Sequence, residues 1–276
     1  MFYIGNLIFL GNYYSAIYNM LQNKQDHMNI NWKTTNHITK IDPAKSFPTD
    51  IGVLEDTDLV IIGGSDGVTR ADTETTIQQI RESFPDLPLV QEPYAPVQIS
   101  SETTANVDWI IVPVVFNGDR DHFVGNHVRM LSQLGSDLEG LLGQDISVMD
   151  VVEKLVPVGY VIQNINSKAA TIAGVSEPLS VAQVRGAALA TEILYDFPVF
   201  YVDYAERFGG TADTVAAATY FEDTALLYSG GIDSAQKATD VLAAGADGVI
   251  VDKCFHEDVE AFTRTTRISP SQRTLE

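Results

Sequence analysis

The sequence predicts an α/β fold in which eight parallel β-strands close into a (βα)8 barrel. Two observations support this fold class. Short apolar runs recur along the chain, with the length and β-branched content of strands that are buried on both faces. One stretch, 226–253, contains a strand, a glycine turn, an amphipathic helix closed by Gly245 and Gly248, and a second strand. The length of 276 residues suits one barrel domain.

The eight predicted strands are apolar segments followed by turn or loop residues. In order they are 37–42, 59–63, 87–91, 109–116, 159–165, 198–204, 226–228 and 249–251. Helices are predicted where apolar residues recur at helical spacing, as Ile77, Ile80 and Phe84 do after the second strand. The predicted helices are 71–84, 128–142, 151–154, 179–195, 212–221, one between the last two strands, and 258–265.

The connection between the third and fourth strands departs from the regular barrel. Residues 92–108 contain two prolines and no helical periodicity. Because each strand of a regular barrel is followed by a covering helix, we expect a modified TIM (βα)8 barrel that lacks the helix after strand 3.

The first 33 residues do not share the composition of the rest. They carry no charged residue before Lys24, yet Asn6, Gly11 and Asn12 interrupt the apolar pattern. A signal peptide would need a positive N-terminal region and a cleavage site of small residues. We expect residues 1–33 to be an extension, from an over-long start assignment, that contributes nothing to a barrel domain of residues 34–276. A segment that touches the membrane surface is the alternative.

The charge and cysteine content limit the classes of protein. Acidic residues outnumber basic ones by 37 to 17, which gives a formal net charge of -20. Nucleic acid is therefore not an expected partner, since binding phosphates requires clustered lysine and arginine. A soluble protein of a high-salt cytoplasm has this composition, because dense carboxylates keep the surface hydrated. The one cysteine, Cys254, excludes an internal disulfide, and we expect it to be a structural thiol.

Polar residues follow the first two predicted strands, at the end where barrels of this type place their active sites. Asp42 ends strand 1 and Ser65 follows strand 2. A carboxylate, a hydroxyl and several waters are ligands that Mg²⁺ prefers. Lys40 projects to the same side of its strand as Asp42 and would neutralise a phosphate. A turn or helix cap at Asp42-Pro43 is the open alternative.

Strands 6 and 7 supply the other candidates. Tyr201 and Asp203 share one face of strand 6, and an inward carboxylate there would accept a proton from a substrate hydroxyl. A salt-bridged barrel residue is the alternative for Asp203. Gly230-Gly231 follows strand 7, where a phosphate commonly binds, although a tight turn without a ligand would look the same. Four histidines show no metal-ligand spacing and are expected to be structural: His37, His122, His127 and His256.

Taken together, four motifs resemble the geranylgeranylglyceryl phosphate synthases and their bacterial PcrB relatives. The motifs are HITKIDPAK, IIGGSDGVT, FYVDYAERFGG and YSGGIDSAQKATDVLAAGADGVIV, and the resemblance extends from Met28 to the C-terminus. It implies a Mg²⁺-dependent prenyltransferase that joins the hydroxyl of sn-glycerol 1-phosphate to geranylgeranyl diphosphate, forming the first ether bond of archaeal membrane lipids. It also implies a homo-oligomer in the cytoplasm, in peripheral contact with the membrane.

The resemblance assigns roles to the candidate residues. Asp42 and Ser65 would bind Mg²⁺, and Asp203 would be the catalytic residue. The glycerol phosphate site would comprise Lys40, Tyr201, Val202, Asp203, Tyr204, Ala205, Glu206, Gly231, Asp252 and Lys253.

Several of these positions depart from the family pattern. Asp203 stands where a glutamate is usual, Ala205 where a serine is usual and Glu206 where a glycine is usual, while Asp252-Lys253 replace a Gly-Asn-like pair. An alternative is therefore a divergent, inactive paralogue or one that binds another polyprenyl or phosphate ligand. An unrelated phosphate-binding barrel enzyme, such as a sugar phosphate isomerase, is the third hypothesis.

Overall fold

Eight parallel strands form a closed barrel in chain order, with β8 hydrogen-bonded back to β1. The structure is a computed structural model that describes residues 30–48, 50–64, 67–141 and 148–268. The strands are β1 His37–Ile41, β2 Leu59–Ile62, β3 Leu89–Gln91, β4 Trp109–Val115, β5 Leu155–Ile162, β6 Val199–Asp203, β7 Ala225–Ser229 and β8 Gly248–Val251. The predicted fold class is confirmed.

The strands are almost continuously buried because side chains fill both the barrel interior and the layer under the helices. All four residues of β2 and all five residues of β6 are buried. Val202 of β6 belongs to the layer under the helices, together with Val184 and Ala188 of the helix before it. Tyr201 and Asp203, on the other face of β6, point into the barrel.

The helices cover the outside of the barrel. They are α1 Arg70–Ser83, α2 Ser101–Asn106, α3 Asn126–Leu141, α4 Val148–Lys154, α5 Lys168–Ile172, α6 Val181–Leu189, α7 Ala212–Ala218, α8 Ala235–Ala243, α9 Lys253–Glu257 and α10 Val259–Thr265. α1 begins at a capping box in which Thr69 and Asp72 each accept a hydrogen bond from the other's backbone N–H. Two segments are π-helical, Asp121–Gly125 before α3 and Ala190–Tyr195 after α6.

The connection after β3 contains a short helix that the sequence interpretation did not include. A 3-10 turn, Pro96–Gln98, is followed by the six-residue α2, whose first turn is capped by the Ser100 hydroxyl. Six residues make fewer than two helical turns, so apolar periodicity could not reveal the helix. The full-length covering helix of a regular barrel is absent from this connection, as predicted.

The fifth strand begins four residues earlier than predicted. β5 starts at Leu155, directly after α4, and ends at Ile162 rather than at residue 165. The residues after it instead lead into α5, a helix that was not predicted, which begins at a cap where the Ser167 side chain accepts from the Ala170 N–H. The early start places Tyr160 deep in the strand, beside Tyr201 of β6.

The N-terminal end of the barrel holds a polar cluster. The ring of His37 contacts the hydroxyls of Thr57 and Thr265 at 2.9 and 3.0 Å, and burial lowers its pKa to about 4. Both ring nitrogens are thus used within the fold, at the opposite end of β1 from Asp42. The structural role expected of His37 fits this placement.

The predicted extension, 1–33, lies largely outside the described residues. The 3-10 turn Trp32–Thr34 spans the predicted boundary, and Trp32 is buried. The proposed domain boundary stays a prediction. Within the described ranges, no helix is both long and apolar enough to cross a membrane.

Candidate active site

The carboxyl ends of the strands bring most of the predicted residues to one mouth of the barrel. Asp42 follows β1, Asp203 ends β6, and Asp252 follows β8. Gly230 and Gly231 follow β7. Ser65 lies outside the described residues, so its role stays a prediction.

Lys40 forms an ion pair with a residue that the sequence interpretation missed. Its ammonium contacts the carboxylate of Glu92, which directly follows β3, and both side chains are largely buried. Burial alone would lower the pKa of Lys40, but Glu92, Tyr201 and Asp203 outweigh it and hold the pKa above its usual range. Lys40 is therefore a charged group with its own counter-ion at the mouth.

The Asp203 carboxylate is buried and held by two hydrogen bonds. One oxygen accepts from the Tyr160 hydroxyl at 2.7 Å, and the other accepts from the Ala205 backbone N–H at 2.6 Å. Burial raises the pKa of Asp203, although Tyr160, Lys40 and the Ala205 amide each favour the ionised form. A carboxylate in such surroundings is suited to accepting a proton.

Tyrosine rings surround this carboxylate. Tyr160 and Tyr201 pack edge to face with ring centroids 4.5 Å apart. Burial raises the pKa of both phenols, and the nearby carboxylate of Asp203 raises them further. The Tyr201 hydroxyl also hydrogen-bonds to Ser229 at the end of β7. Both phenols therefore remain protonated donors at neutral pH.

The loop after β6, residues 204–210, is fixed by a buried carboxylate on α7. Asp213 accepts hydrogen bonds from the Tyr204 hydroxyl and, at 2.6 Å, from the Gln163 side chain. The Gly209 N–H donates to the Tyr228 hydroxyl at 3.0 Å. Ala205 has a positive φ of 52°, a left-handed conformation that lets its N–H reach Asp203.

The glycine turn after β7 packs under this loop. Gly230 and Gly231 have φ of 126° and 60°, in the region that favours glycine. A Cβ on Gly230 would come within 2.8 Å of the Arg207 carbonyl oxygen, and one on Gly231 would collide with the Phe208 backbone. Glycine is thus required here because two backbone segments touch.

Among the residues that depart from the family pattern, one lysine lies beside the added acidic side chains. Lys253 lies 3.7 Å from the carboxylate of Glu206 and 3.8 Å from that of Glu257. These groups are exposed, so each pair is weak. Asp252 is paired in turn with Lys45 at 3.5 Å. Both added acidic side chains therefore have a cationic neighbour.

The Asp42 carboxylate is held on one side. Its Oδ1 accepts from the Ala44 N–H at 3.0 Å, and a Cβ on Gly64 would collide with this carboxylate. Within the described residues, no hydrogen bond reaches its Oδ2 and no three metal-binding side chains cluster. One carboxylate with an open oxygen suits Mg²⁺, which usually keeps waters and takes further oxygens from a phosphorylated substrate.

The amino-acid sequence and the fold were compared with known proteins. A model of the PcrB family matches residues 27–268. The chain belongs to the PcrB family. This PcrB protein is 31% identical over 248 residues to geranylgeranylglyceryl phosphate synthase of Methanoculleus marisnigri, with 87% of this chain and 99% of the relative covered. The family resemblance of the motifs is confirmed.

Two solved structures share the fold. One is (S)-3-O-geranylgeranylglyceryl phosphate synthase of Thermoplasma acidophilum in complex with sn-glycerol-1-phosphate, with a TM-score of 0.68, 18% identity, and 90% of this chain and 94% of that chain covered. The other is wild-type GGGPS of Thermoplasma volcanium, with a TM-score of 0.66, 19% identity and the same coverages of 90% and 94%. At these identities, the two structures support the barrel of this PcrB protein.

Sequence reasoning missed several residues of the PcrB site. Glu92 could have been found, because it follows β3 as Asp42 follows β1. Tyr160 lay within the predicted strand 5 but was not singled out, because its contact with Asp203 depends on the pairing of β5 with β6. Asp213 lies on a helix, and no pattern in the sequence marked it as a site residue. Val202 was predicted to contact substrate, but its side chain packs in the core under the helices.

Proposed function

We propose that this PcrB protein is a prenyltransferase of the geranylgeranylglyceryl phosphate synthase type. The acceptor is sn-glycerol 1-phosphate and the donor is geranylgeranyl diphosphate. The observation that carries the proposal is the buried Asp203 carboxylate at the barrel mouth, which accepts a hydrogen bond from Tyr160, whose ring packs on that of Tyr201. The relative from Methanoculleus marisnigri, named for this activity, supports it.

The reaction needs a base and a place for each phosphate. The acceptor hydroxyl oxygen attacks C1 of the prenyl diphosphate, a C–O ether bond forms, and the bond from C1 to the diphosphate breaks. The hydroxyl proton passes to Asp203, whose raised pKa makes it a more effective base than an exposed aspartate. Tyr160 keeps its proton and stabilises the ionised form of Asp203 before the transfer.

The acceptor phosphate belongs at the glycine turn. Gly230 and Gly231 bring backbone close to the loop after β6, where no side chain intervenes. Backbone N–H groups in such turns bind anions. Lys253 adds a positive charge beside this loop and offsets Glu206. Lys40 contributes charge from the barrel interior.

The donor diphosphate belongs beside Asp42. Asp42, with Ser65, would hold Mg²⁺, and the ion would neutralise charge on the departing diphosphate. Gly64 leaves room beside the Oδ1 atom of Asp42, which a Cβ at that position would crowd. We also propose a cytoplasmic, salt-adapted homo-oligomer that works at the membrane surface, where its lipid product leaves.

A single assay tests the proposal. Protein in molar KCl is incubated with Mg²⁺, sn-glycerol 1-phosphate and geranylgeranyl diphosphate, and the ether product is extracted and identified by mass. We expect product from the wild type and at least a hundredfold less from Asp203→Asn, since general bases contribute about 10²–10⁴-fold.

Asp196→Asn is the matched control. Asp196 is exposed at the opposite end of β6 from Asp203 and has φ of 53°, which asparagine tolerates. We expect it to retain activity. No ether product from folded wild-type protein would refute the proposal and favour the divergent paralogue. Equal activity of Asp203→Asn and wild type would refute the role of Asp203.

A further inference from the structure

His256, on α9, reaches across to the loop after β1. Its ring is almost fully buried, with 3% of the side chain exposed. The Nε2 atom accepts a hydrogen bond from the Asp42 backbone N–H at 3.1 Å, and the Nδ1 atom lies 3.0 Å from the Ser46 carbonyl oxygen. The two ring nitrogens therefore hold both ends of the segment 42–46.

The two partners fix the tautomer of His256. A backbone N–H can only donate and a carbonyl can only accept, so Nε2 must be unprotonated and Nδ1 must carry the proton. The neutral imidazole satisfies both partners at once. A residue that only filled space in the core would not need this polarity.

We infer that His256 is a positioning residue for the Asp42 carboxylate. The Asp42 side chain has only two rotatable bonds, so a fixed backbone N–H largely sets where its carboxylate lies. The Ala44 N–H on Oδ1 then orients the carboxylate plane. His256 thereby fixes the backbone from which the Asp42 carboxylate projects. The inference rests on the proposed role of Asp42 as a metal ligand.

An ionic connection between these two loops is weaker. Lys45 and Asp252 are 3.5 Å apart and both partly exposed, and such pairs contribute about 0–1 kcal/mol. Asp252 also lies 3.9 Å from the His256 Nε2 atom, beyond hydrogen-bond distance. Phe255 of α9 also packs edge to face on Phe47, but it is the buried imidazole that hydrogen-bonds the Asp42 backbone itself.

Two conservative variants separate the two hydrogen bonds of His256. In His256→Gln the side-chain carbonyl can take the place of Nε2 and accept from Asp42. In His256→Asn the side-chain amide can take the place of Nδ1 and donate to Ser46. Each variant loses one buried hydrogen bond, so their thermal stabilities should fall by similar amounts.

The test measures divalent-ion binding rather than turnover. Mn²⁺, which shares the preference of Mg²⁺ for oxygen ligands, is titrated in molar KCl, and the free ion is followed by electron paramagnetic resonance. The variant Asp42→Asn measures how much Mn²⁺ binds to acidic groups other than Asp42. His122→Asn is the matched control, because the hydrogen bond that its ring makes within the described part of the chain is to the neighbouring Asp119.

We expect His256→Asn to bind Mn²⁺ about tenfold or more weakly than wild type, the range found for residues that orient metal ligands. His256→Gln should bind more tightly than His256→Asn, and the KM for the prenyl diphosphate should follow the same order, while the KM for the acceptor should not.

Equal Mn²⁺ affinities of the Gln and Asn variants would overturn the inference, as would a wild type that binds no better than Asp42→Asn. A wild type that binds Mn²⁺ with the expected order but makes no ether product would instead refute the proposed reaction and leave the role of His256 standing.

Discussion

Removing one hydroxyl, in Tyr160→Phe, tests whether Asp203 depends on its tyrosine neighbour. The bond joins two buried groups, with the Tyr160 oxygen 2.7 Å from the Asp203 carboxylate. Hydrogen bonds to charged groups contribute about 1.5–3 kcal/mol, and those between neutral groups about 0.5–1.5 kcal/mol. The cost of the substitution should therefore depend on whether Asp203 is ionised.

The pKa of Asp203 determines how the stability cost of Tyr160→Phe changes with pH. Burial raises this pKa in the folded state, so the folded protein holds the proton more tightly than the unfolded chain. The stability that Asp203 contributes is complete below its unfolded pKa of about 3.9 and is lost as the pH rises through the folded value. In Tyr160→Phe the ionised carboxylate loses its donor, so this pKa rises further.

The assay is urea unfolding in molar KCl at a series of pH values between about 5 and 8. We expect the free energy of unfolding of Tyr160→Phe to fall by about 1.5–3 kcal/mol at the upper end and by less at the lower end. Tyr195→Phe is the control, because the Tyr195 ring stacks on Phe197 near the surface. A loss that does not change with pH, or one no larger than that of Tyr195→Phe, would refute the coupling.

Three further predictions concern backbone, thiol and imidazole. Gly231→Ala should lower the free energy of unfolding by at least about 1–2 kcal/mol, because alanine would be strained at the left-handed φ of this position. The loss should clearly exceed that of Gly210→Ala, which has a similar φ but open space around it. Equal losses in thermal or urea unfolding would contradict this. Burial raises the pKa of the Cys254 thiol to about 12, so iodoacetamide at pH 8 should alkylate it only after unfolding, as mass spectrometry would show. Because burial lowers the pKa of His37 to about 4, stability should fall as the pH drops from about 6.5 towards that value, by on the order of 3 kcal/mol, and His37→Gln should remove this part of the pH dependence.

The barrel was predictable because its strands obey simple rules. Segments buried on both faces read as apolar runs, and their parallel arrangement follows from alternation with helices. The shortest helices were missed, as the six-residue α2 and the five-residue α5 illustrate, since they bury too little surface to leave a periodic pattern. The start of β5 was misplaced because α4 runs into it without a turn residue.

Candidate site residues could be predicted from the sequence only where they stand at the ends of strands. Asp42 and Asp203 were singled out because each ends a predicted strand, and Gly230-Gly231 because the pair follows one. Glu92 could have been placed at the mouth from its position after β3, but its pairing with Lys40 could not be inferred, since that depends on which residue across the barrel lies within reach. His256 was judged structural from spacing alone, and only its contacts with the Asp42 loop suggest more.

The pairing of Lys40 with Glu92 changes how the mouth responds to ions in solution. A bare ammonium in concentrated salt would be occupied by chloride, and a phosphate would have to compete with it. Lys40 already holds a tethered, largely buried carboxylate. An incoming phosphate therefore replaces the Glu92 carboxylate as the partner of Lys40, and the displaced carboxylate cannot diffuse away. The number of paired charges does not change. Binding of this kind depends only weakly on ionic strength, because few dissolved ions are released or taken up.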